Sequence, residues 1–526
     1  MGGEWSLFKM NSRHSLFLLS FILAFCSFSY EIILAFVVAK ITGHEILSQT
    51  ISIGSFIVGL GLGSYWNEKN PQDDKIGFLQ NVEIVLSLVG GLGVFFIFGW
   101  DILVRSLSNT PSFFLFFIPV QLYILLIGFL SGLELPCLLD ENKSQNRILG
   151  FHYLGTLISS LLIFAWFIPK IDVFLSTILI ALLNVSVALL LFLKSTRKKT
   201  QLIGVSIVSM VLIVLMVVSP KFYSQYLKIY YFQPEISKFA DISHASKILD
   251  SRPEIRRYRS QYQYIDFIDE VQNGKTSLVM FLDHRKQFSS THEHIYHEQM
   301  VHVPLDLHKH PIKNVLVLGG GDGLIARELL KYDEVERITL VELDQDVLNF
   351  ATTDVRFTKL NQNSLKSPKV KIVVADAISY IRNSQETFDA VFLDFPFPNN
   401  YDLAKLYSLE FYKAVGKRMA EESFMILDYP IDKNAVASSH RNEVILSTLQ
   451  YAGFPKPKIY GKEDSFVMVS VTADKIYGEG QSQYLSERSR KELIFYDDIV
   501  WNTEISEDKV NSIFKPQTLR ARRGGW

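Results

Sequence analysis

Cysteine is nearly missing from this chain: 526 residues hold two, Cys26 and Cys137, both in apolar stretches and neither in a CxxC pair. That excludes a disulfide scaffold and a zinc-ribbon module. Net charge is nearly missing too, at −1, so there is no cationic surplus of the kind a nucleic-acid-binding module carries. Charge of either sign is scarcest early in the chain. Residues 1–220 carry 25 Asp, Glu, Lys and Arg side chains, whereas the following 306 residues carry 82. The first part is too apolar to be water-soluble, and the second has ordinary globular composition. A purely soluble protein and a pure bundle of membrane helices are both excluded. Internal repeats and low-complexity tracts are also lacking.

What the first part does hold is apolar runs, at about 15–39, 50–66, 82–100, 113–139, 148–169, 171–193 and 202–219. Each suits a helix crossing a hydrocarbon core of about 30 Å. The expectation is a transmembrane domain over 1–220 with seven spans, six and eight staying open. The first run is too long for a signal-peptide core and lacks a small-residue cleavage site, so it reads as a retained anchor. Gly59, Gly61 and Gly63 are expected to let helices approach closely. Glu31 lies well inside the first span, where an acid is costly unless paired or protonated. It is either a functional group or bonded to another helix, with His152 the expected partner. Glu134, nearer a span end, is expected to reach the interface.

With the N-terminus inside, the loops on that side hold Lys9, Arg13, Lys69, Lys75, Lys143, Arg147, Lys194, Arg197, Lys198 and Lys199; the other side holds Lys40, Arg105 and Lys170. Positive charge favours that orientation, and seven spans then place the soluble half outside.

In the soluble half, 221–259 reads as linker with short helices, its RPEIRRYR segment a solvated face rather than a lipid contact. SQYQYIDFI and KTSLVMFLD, broken at Asn273-Gly274, predict a hairpin. A small antiparallel β-subdomain and a helix therefore fill 260–310. From 311 to 475, VLVLGGGDG, RITLVELD, VKIVVADA, FDAVFLDF and FMILDYP alternate with helical segments, the pattern of a parallel sheet covered on both faces. The tail, 476–526, ends in RARRGGW and has no readable role.

Chemistry-bearing residues fall at the carboxyl ends of those strands, where open α/β sheets bind ligands. A Gly319–Gly323 turn follows the first strand. Glu342, 23 residues after Gly319, ends the second and is spaced to accept from two ribose hydroxyls. Asp376-Ala377 ends the third, facing an adenine amino group. Asp322 would repel the pyrophosphate of a dinucleotide and welcome an amine. Adenosine plus an amine describes S-adenosylmethionine or its decarboxylated form, and the latter has no carboxylate to clash with Asp322.

Tyr262-Gln263, Leu282-Asp283, Gln287, Tyr296-His297-Glu298, PLDLHKHP, VLVLGGGDG, RELLK, VELD and VADA together resemble the polyamine aminopropyltransferases, or spermidine synthases, over roughly 260–475. SYEIIL, GLGLGS and GLELP look like the membrane-fused branch of that family. The resemblance implies a class I methyltransferase-like (Rossmann-type) α/β domain behind a multi-span α-helical membrane domain. It implies aminopropyl transfer from decarboxylated S-adenosylmethionine, as co-substrate without a further cofactor, to putrescine or a related amine. Gln263, Asp322, Glu342, Asp376 and Ala377 would bind the donor, His297, beside Tyr296, would line the amine site, and Asp394 would accept the proton. A cell-membrane protein with a cytoplasmic catalytic domain follows, because the donor is a cytoplasmic metabolite; this opposes the charge bias of the loops. The implied partners are a small amine, the nucleoside donor and the bilayer, with no nucleic acid; a homo-oligomer is compatible.

Departures concern the amine half. Where the family has a second Asp, this chain has Phe397, in Asp394-Phe395-Pro396-Phe397-Pro398. The run before Tyr296 reads Ser290-Thr291-His292-Glu293, and YGKEDSFVMVS replaces a Tyr- and Pro-rich segment at 460–470. Asp428, ending FMILDYP, is the acid placed to compensate, or else it caps the turn at Pro430. A methyltransferase using intact S-adenosylmethionine and a non-catalytic membrane sensor or transporter are the rival readings. Seven of the 12 histidines fall between 284 and 310, yet no metal-binding spacing such as HExxH occurs, so no metal site is expected.

Overall fold

The structure, a computed structural model, describes residues 13–43, 45–107, 113–139, 145–192, 199–236, 249–272, 274–308, 310–398, 400–434, 439–470 and 482–520. Lys9, Lys143, Lys194, Arg197, Lys198, Asn273 and positions 521–526 lie outside them. The chain forms two compact units, Met1–Arg252 and Pro253–Gly524.

The first unit is helical: α1 Arg13–Thr42, α2 Glu45–Lys69, α3 Lys75–Leu107, α4 Phe113–Gly132, α5 Gln145–Leu162, α6 Val173–Phe192 and α7 Lys199–Ile236. Among the described residues, seven helical segments are long and apolar enough to cross a membrane, one for each apolar run. Large apolar side chains such as Ile57, Phe114, Leu122 and Val217 are exposed on them. Gly59 and Gly63 of α2 sit against α4, where a Cβ would come within 2.3 and 2.1 Å of the Leu125 and Phe129 carbonyls. Gly61 faces open space and takes no part.

Two expectations fail here. Glu31 is buried, with Oε2 unpartnered, and His152 Nδ1 is unpartnered as well, so no bond joins them through those atoms. Glu134 does not reach an interface. It is 1% exposed, takes hydrogen bonds from Ser27 at 3.2 and 3.3 Å and faces Glu83. The helix break at Leu133 turns it inward, which run length alone cannot reveal.

The described residues of 221–259 are mostly helix and strand rather than linker. α7 continues because Tyr226, Leu227 and Phe232 keep helical spacing and are buried, Tyr226 donating to Asp101 at 3.0 Å. RPEIRRYR contributes β1, Ile255–Arg259, whose Arg257 grips Asp266 with bonds of 2.7 and 2.6 Å.

The second unit holds two sheets. β1, β2 (Tyr264–Gln272), β3 (Lys275–Leu282) and β4 (Arg285–Ser289) form an antiparallel meander. Gly274, at φ +74°, turns β2 into β3. Helix α8, Glu293–His308, leads to the large sheet: β5 Asn314–Gly319, β6 Arg337–Glu342, β7 Val370–Val374, β8 Phe388–Asp394, β9 Met419–Asp428, β10 Lys458–Tyr460 and β11 Phe466–Ser470. Its order is β10-β11-β9-β8-β5-β6-β7, parallel from β9 to β7 and antiparallel at the β10–β11 edge.

Alternate residues of β5 explain the layering. Val315 and Val317 join a core shared with Phe267, Met280 and Met300, while Leu316 and Leu318 join one on the opposite face with Phe411 and Leu449. Because β5 pairs with both β6 and β8, the chain reverses direction across the sheet there, which opens a crevice at the strand ends. The tail belongs to this unit: Tyr496 donates to the Ile459 carbonyl at 2.9 Å, and Glu298 accepts from Ser486 N–H at 2.8 Å.

Candidate active site

The crevice is a cavity of about 540 Å³ lined by Gln263, Tyr296, His297, Asp322, Glu342, Asp376, Ala377, Asp394 and Asp428. All the residues singled out from sequence for binding or catalysis therefore share one wall system. The turn after β5 makes the space. Gly319 and Gly320 have φ of +88° and +67°, and a Cβ on Gly319 would lie 2.0 Å from the Asp394 carbonyl oxygen. A Cβ on Gly320 would meet the Asp394 carboxylate at 3.4 Å. Glycine here lets β8 deliver its acid directly onto the turn.

Glu342 accepts from the N–H groups of Gly321 and Asp344, at 3.2 and 2.9 Å. Burial nevertheless pushes its carboxyl up to about 7. Asp322 accepts from Leu324 N–H at 2.9 Å; burial raises it, opposed by the nearby His297 charge. Asp376 caps helix α10, Ala377–Asn383, by accepting from Ser379 N–H at 2.9 Å. Gln263 donates to Asp344 at 2.9 Å, as Ser260 does at 2.6 Å.

Tyr296 donates its hydroxyl to Asp394 at 2.8 Å. Burial, with Asp322 nearby, pushes Asp394 up to about 6, against the opposing effects of His297 and Tyr296. Burial alone would lower the His297 imidazole, but its 2.8 Å bond to Glu293 and the charges of Asp322 and Asp394 carry it up to about 9. Glu293 is itself clamped by Arg327 of helix α9, Leu324–Leu329, at 2.8 and 3.0 Å. Arg327 also donates to Glu328, which pairs with His302 at 2.6 Å. His297 and His302 of α8 are thus held by carboxylates, and among the described residues no group of three or more His, Cys, Asp or Glu could hold a metal ion.

Asp428 lines the same cavity and takes a backbone bond from Ser465. Burial raises its carboxyl well above the usual range, with Asp464 and Asp394 adding to the effect. Phe397 is half-buried on the cavity wall, its ring 6.1 Å from Tyr429 and 5.8 Å from the Arg441 guanidinium.

Sequence reasoning missed Arg327, Asp344, Glu463 and Asp464. Glu463 and Asp464 were visible as two acids just before β11, within the segment that departs from the family. Acids so outnumber cations around the cavity that it suits a cationic ligand.

The Spermine/spermidine synthase domain family matches residues 293–446. The polyamine aminopropyltransferase of Leptospira interrogans is 33% identical over 418 residues, covering 78% of each chain. That of Oceanobacillus iheyensis is 30% identical over 414 residues, covering 77% of this chain and 75% of its own. Both alignments are longer than Pro253–Gly524, so these relatives share part of the helical unit as well. A spermidine synthase solved with the transition-state analogue AdoDATO aligns over 51% of this chain and 90% of its own, at 24% identity and a TM-score of 0.39. The chain belongs to the polyamine aminopropyltransferase family, and it is an aminopropyltransferase whose co-substrate is decarboxylated S-adenosylmethionine.

Proposed function

We propose that this chain transfers the aminopropyl group to putrescine or a related amine, with Asp394 as the proton acceptor. The observation that carries this is the seating of the Asp394 carboxylate on the Gly319–Gly320 turn under the Tyr296 hydroxyl, between the donor acids and Asp428. Glu342 binds the ribose hydroxyls, Asp376 and Ala377 the adenine edge, and Asp322 the aminopropyl ammonium, with Gln263 closing the donor side.

An alkyl amine arrives protonated, since its pKa is near that of Lys at roughly 10. Its ammonium gives a proton to Asp394, and the freed lone pair attacks the carbon bonded to sulfur. The carbon–sulfur electron pair returns to sulfur, so the sulfonium leaves as neutral 5′-methylthioadenosine and the new nitrogen stays as a secondary ammonium. The sulfonium is already a good leaving group, and positioning with charge complementarity supplies the rest. Tyr296 and Asp428 face the amine, while the His297 cation favours the ionised forms of Asp322 and Asp394.

Incubating the purified protein with decarboxylated donor and an amine panel, read by mass spectrometry, tests this. Methylthioadenosine release with an aminopropylated putrescine is expected. No release from any amine despite donor binding overturns it, in favour of a sensor or transporter. Methyl transfer from intact S-adenosylmethionine is the outcome that would revive the methyltransferase reading, which family membership disfavours.

The first unit is a multi-pass membrane domain, supported by its seven apolar helices and exposed apolar side chains. The catalytic unit faces the cytoplasm, where the donor is made. Seven crossings set this against the Lys and Arg bias of the loops, so labelling of single cysteines in intact cells decides it. A catalytic unit labelled from outside overturns the assignment.

A further inference from the structure

One end of the cavity is built from the loop before β11, within the segment that departs from the family. Lys433 donates to the carbonyls of Lys462, Glu463 and Asp464, at 2.6, 3.3 and 2.9 Å. Gly461 donates to the Ile494 carbonyl at 2.9 Å. Gly461 has a φ of +100°, and a Cβ there would sit 2.6 Å from the Asp464 carbonyl oxygen, so the tight loop depends on glycine. Tyr429 donates to the Ser465 carbonyl at 2.9 Å, tying the loop to the end of β9. The loop is thus fixed from three directions, and the Lys433 ammonium is taken up by backbone carbonyls.

This fixed loop turns the Glu463 and Asp464 side chains toward the cavity that also holds Asp394, Asp428, Tyr296 and Phe397. Phe466 pairs with Asp428 and the Tyr429 N–H donates to the Ser465 carbonyl, so Asp464 precedes the stretch of β11 seated beside Asp428. Asp394, Asp428 and Asp464 therefore line one cavity, with Asp464 open to solvent. Phe397 adds an apolar surface to the same wall. A linear diamine has this pattern: a charge at each end and methylenes between.

We propose that Asp464, with Asp428, holds the remote ammonium of a linear diamine acceptor, supplying from the β9–β11 end of the sheet the charge that Phe397 withholds. The proposal rests on the aminopropyl transfer to an amine argued above and names its acceptor class and a specificity-determining residue. An ammonium in a partly dry site needs an acid close by, whereas a monoamine has nothing to place there. Asp464 thus governs preference for diamines over monoamines.

The experiment compares putrescine with butylamine on the full-length protein, following methylthioadenosine release, for wild type, Asp464→Asn, Asp464→Glu and Asp464→Asn with Phe397→Asp. The wild type is expected to prefer putrescine. Asp464→Asn should raise the putrescine KM by about 10- to 100-fold and collapse the kcat/KM ratio of diamine over monoamine toward one. Asp464→Glu should recover part of that preference, as should the added Phe397→Asp. Calorimetric donor binding reports whether each variant is folded. An unchanged diamine-to-monoamine ratio in folded Asp464→Asn overturns the proposal while leaving aminopropyl transfer intact. A wild type that transfers to butylamine as well as to putrescine removes the diamine itself. A wild type that transfers to neither defeats the reading beneath it.

Discussion

Acids buried in the helical unit and acids in the catalytic cavity are the same residue types in opposite circumstances. Glu83 in α3 has both carboxyl oxygens buried without a hydrogen-bond partner, and Glu31 has one. Glu134 has Ser27 and the facing Glu83. In the catalytic unit, Asp322, Glu342 and Asp376 each accept from at least one backbone N–H, and Asp394 accepts from a tyrosine. The cause is the backbone. A helix interior uses all its N–H groups internally, whereas strand ends, turns and helix starts leave some pointing outward. The α/β unit can therefore hold ionised acids ready for a cationic substrate, and the bundle can only pair them with other side chains.

Removing the acid that does chemistry should give the largest effect. Asp394→Asn keeps the shape but loses the proton acceptor, so kcat should fall by on the order of 10³-fold with donor Kd changed less than about twofold. Near-normal turnover would falsify the base assignment. Wild-type kcat/KM should also drop as pH falls through about 6, because Asp394 must be ionised to take the proton.

Glu342→Gln comes next. Losing charge-assisted bonds to two hydroxyls should weaken donor binding by on the order of 1–3 kcal/mol, roughly 5- to 150-fold in Kd. With the Glu342 carboxyl pushed up to about 7, wild-type donor affinity should weaken as pH falls through that value, and the variant should lose that pH dependence. Equal affinities by calorimetry would remove the ribose role.

Tyr296→Phe should act more gently. The hydroxyl's 2.8 Å bond favours ionised Asp394, so its loss should move the acid limb of kcat/KM to higher pH. An unmoved limb would mean that Tyr296 only fills space.

These acids were legible because strands signal their ends. VLVLGGGDG, VELD, VADA and FDAVFLD each close an apolar run with a carboxylate, and parallel strands bring such ends to one crevice. Asp464 was not legible in that way, since it precedes an antiparallel strand, β11, whose register with β9 sets Phe466 opposite Asp428. Glu134 was misjudged for a related reason. Hydropathy gives the length of a span but not the rotation of its neighbours, so it cannot say that Ser27 and Glu83 lie opposite. The role assigned to Gly61 failed similarly, because Gly59 and Gly63 occupy the α2 face toward α4 and Gly61 does not.

The smallest effect on transfer is expected from the helical unit, and it tests whether the two sets of acids are independent. Glu134 is 1% exposed, and among the described residues those lining the catalytic cavity all belong to the second unit. Glu134→Gln keeps an acceptor for Ser27 and adds an amide that can donate to Glu83, so transfer kinetics should stay within about twofold and stability should hold. Glu134→Ala strips Ser27 of its partner and leaves a gap beside Glu83. It should cost about 1–3 kcal/mol of stability, the penalty of leaving buried polar groups unsatisfied, again with transfer kinetics near wild type. Thermal unfolding in detergent, run beside the methylthioadenosine assay, separates the two readouts. A folded Glu134→Gln protein whose turnover drops tenfold would show that the helical unit governs the chemistry, and the contrast between passive and working acids would fail.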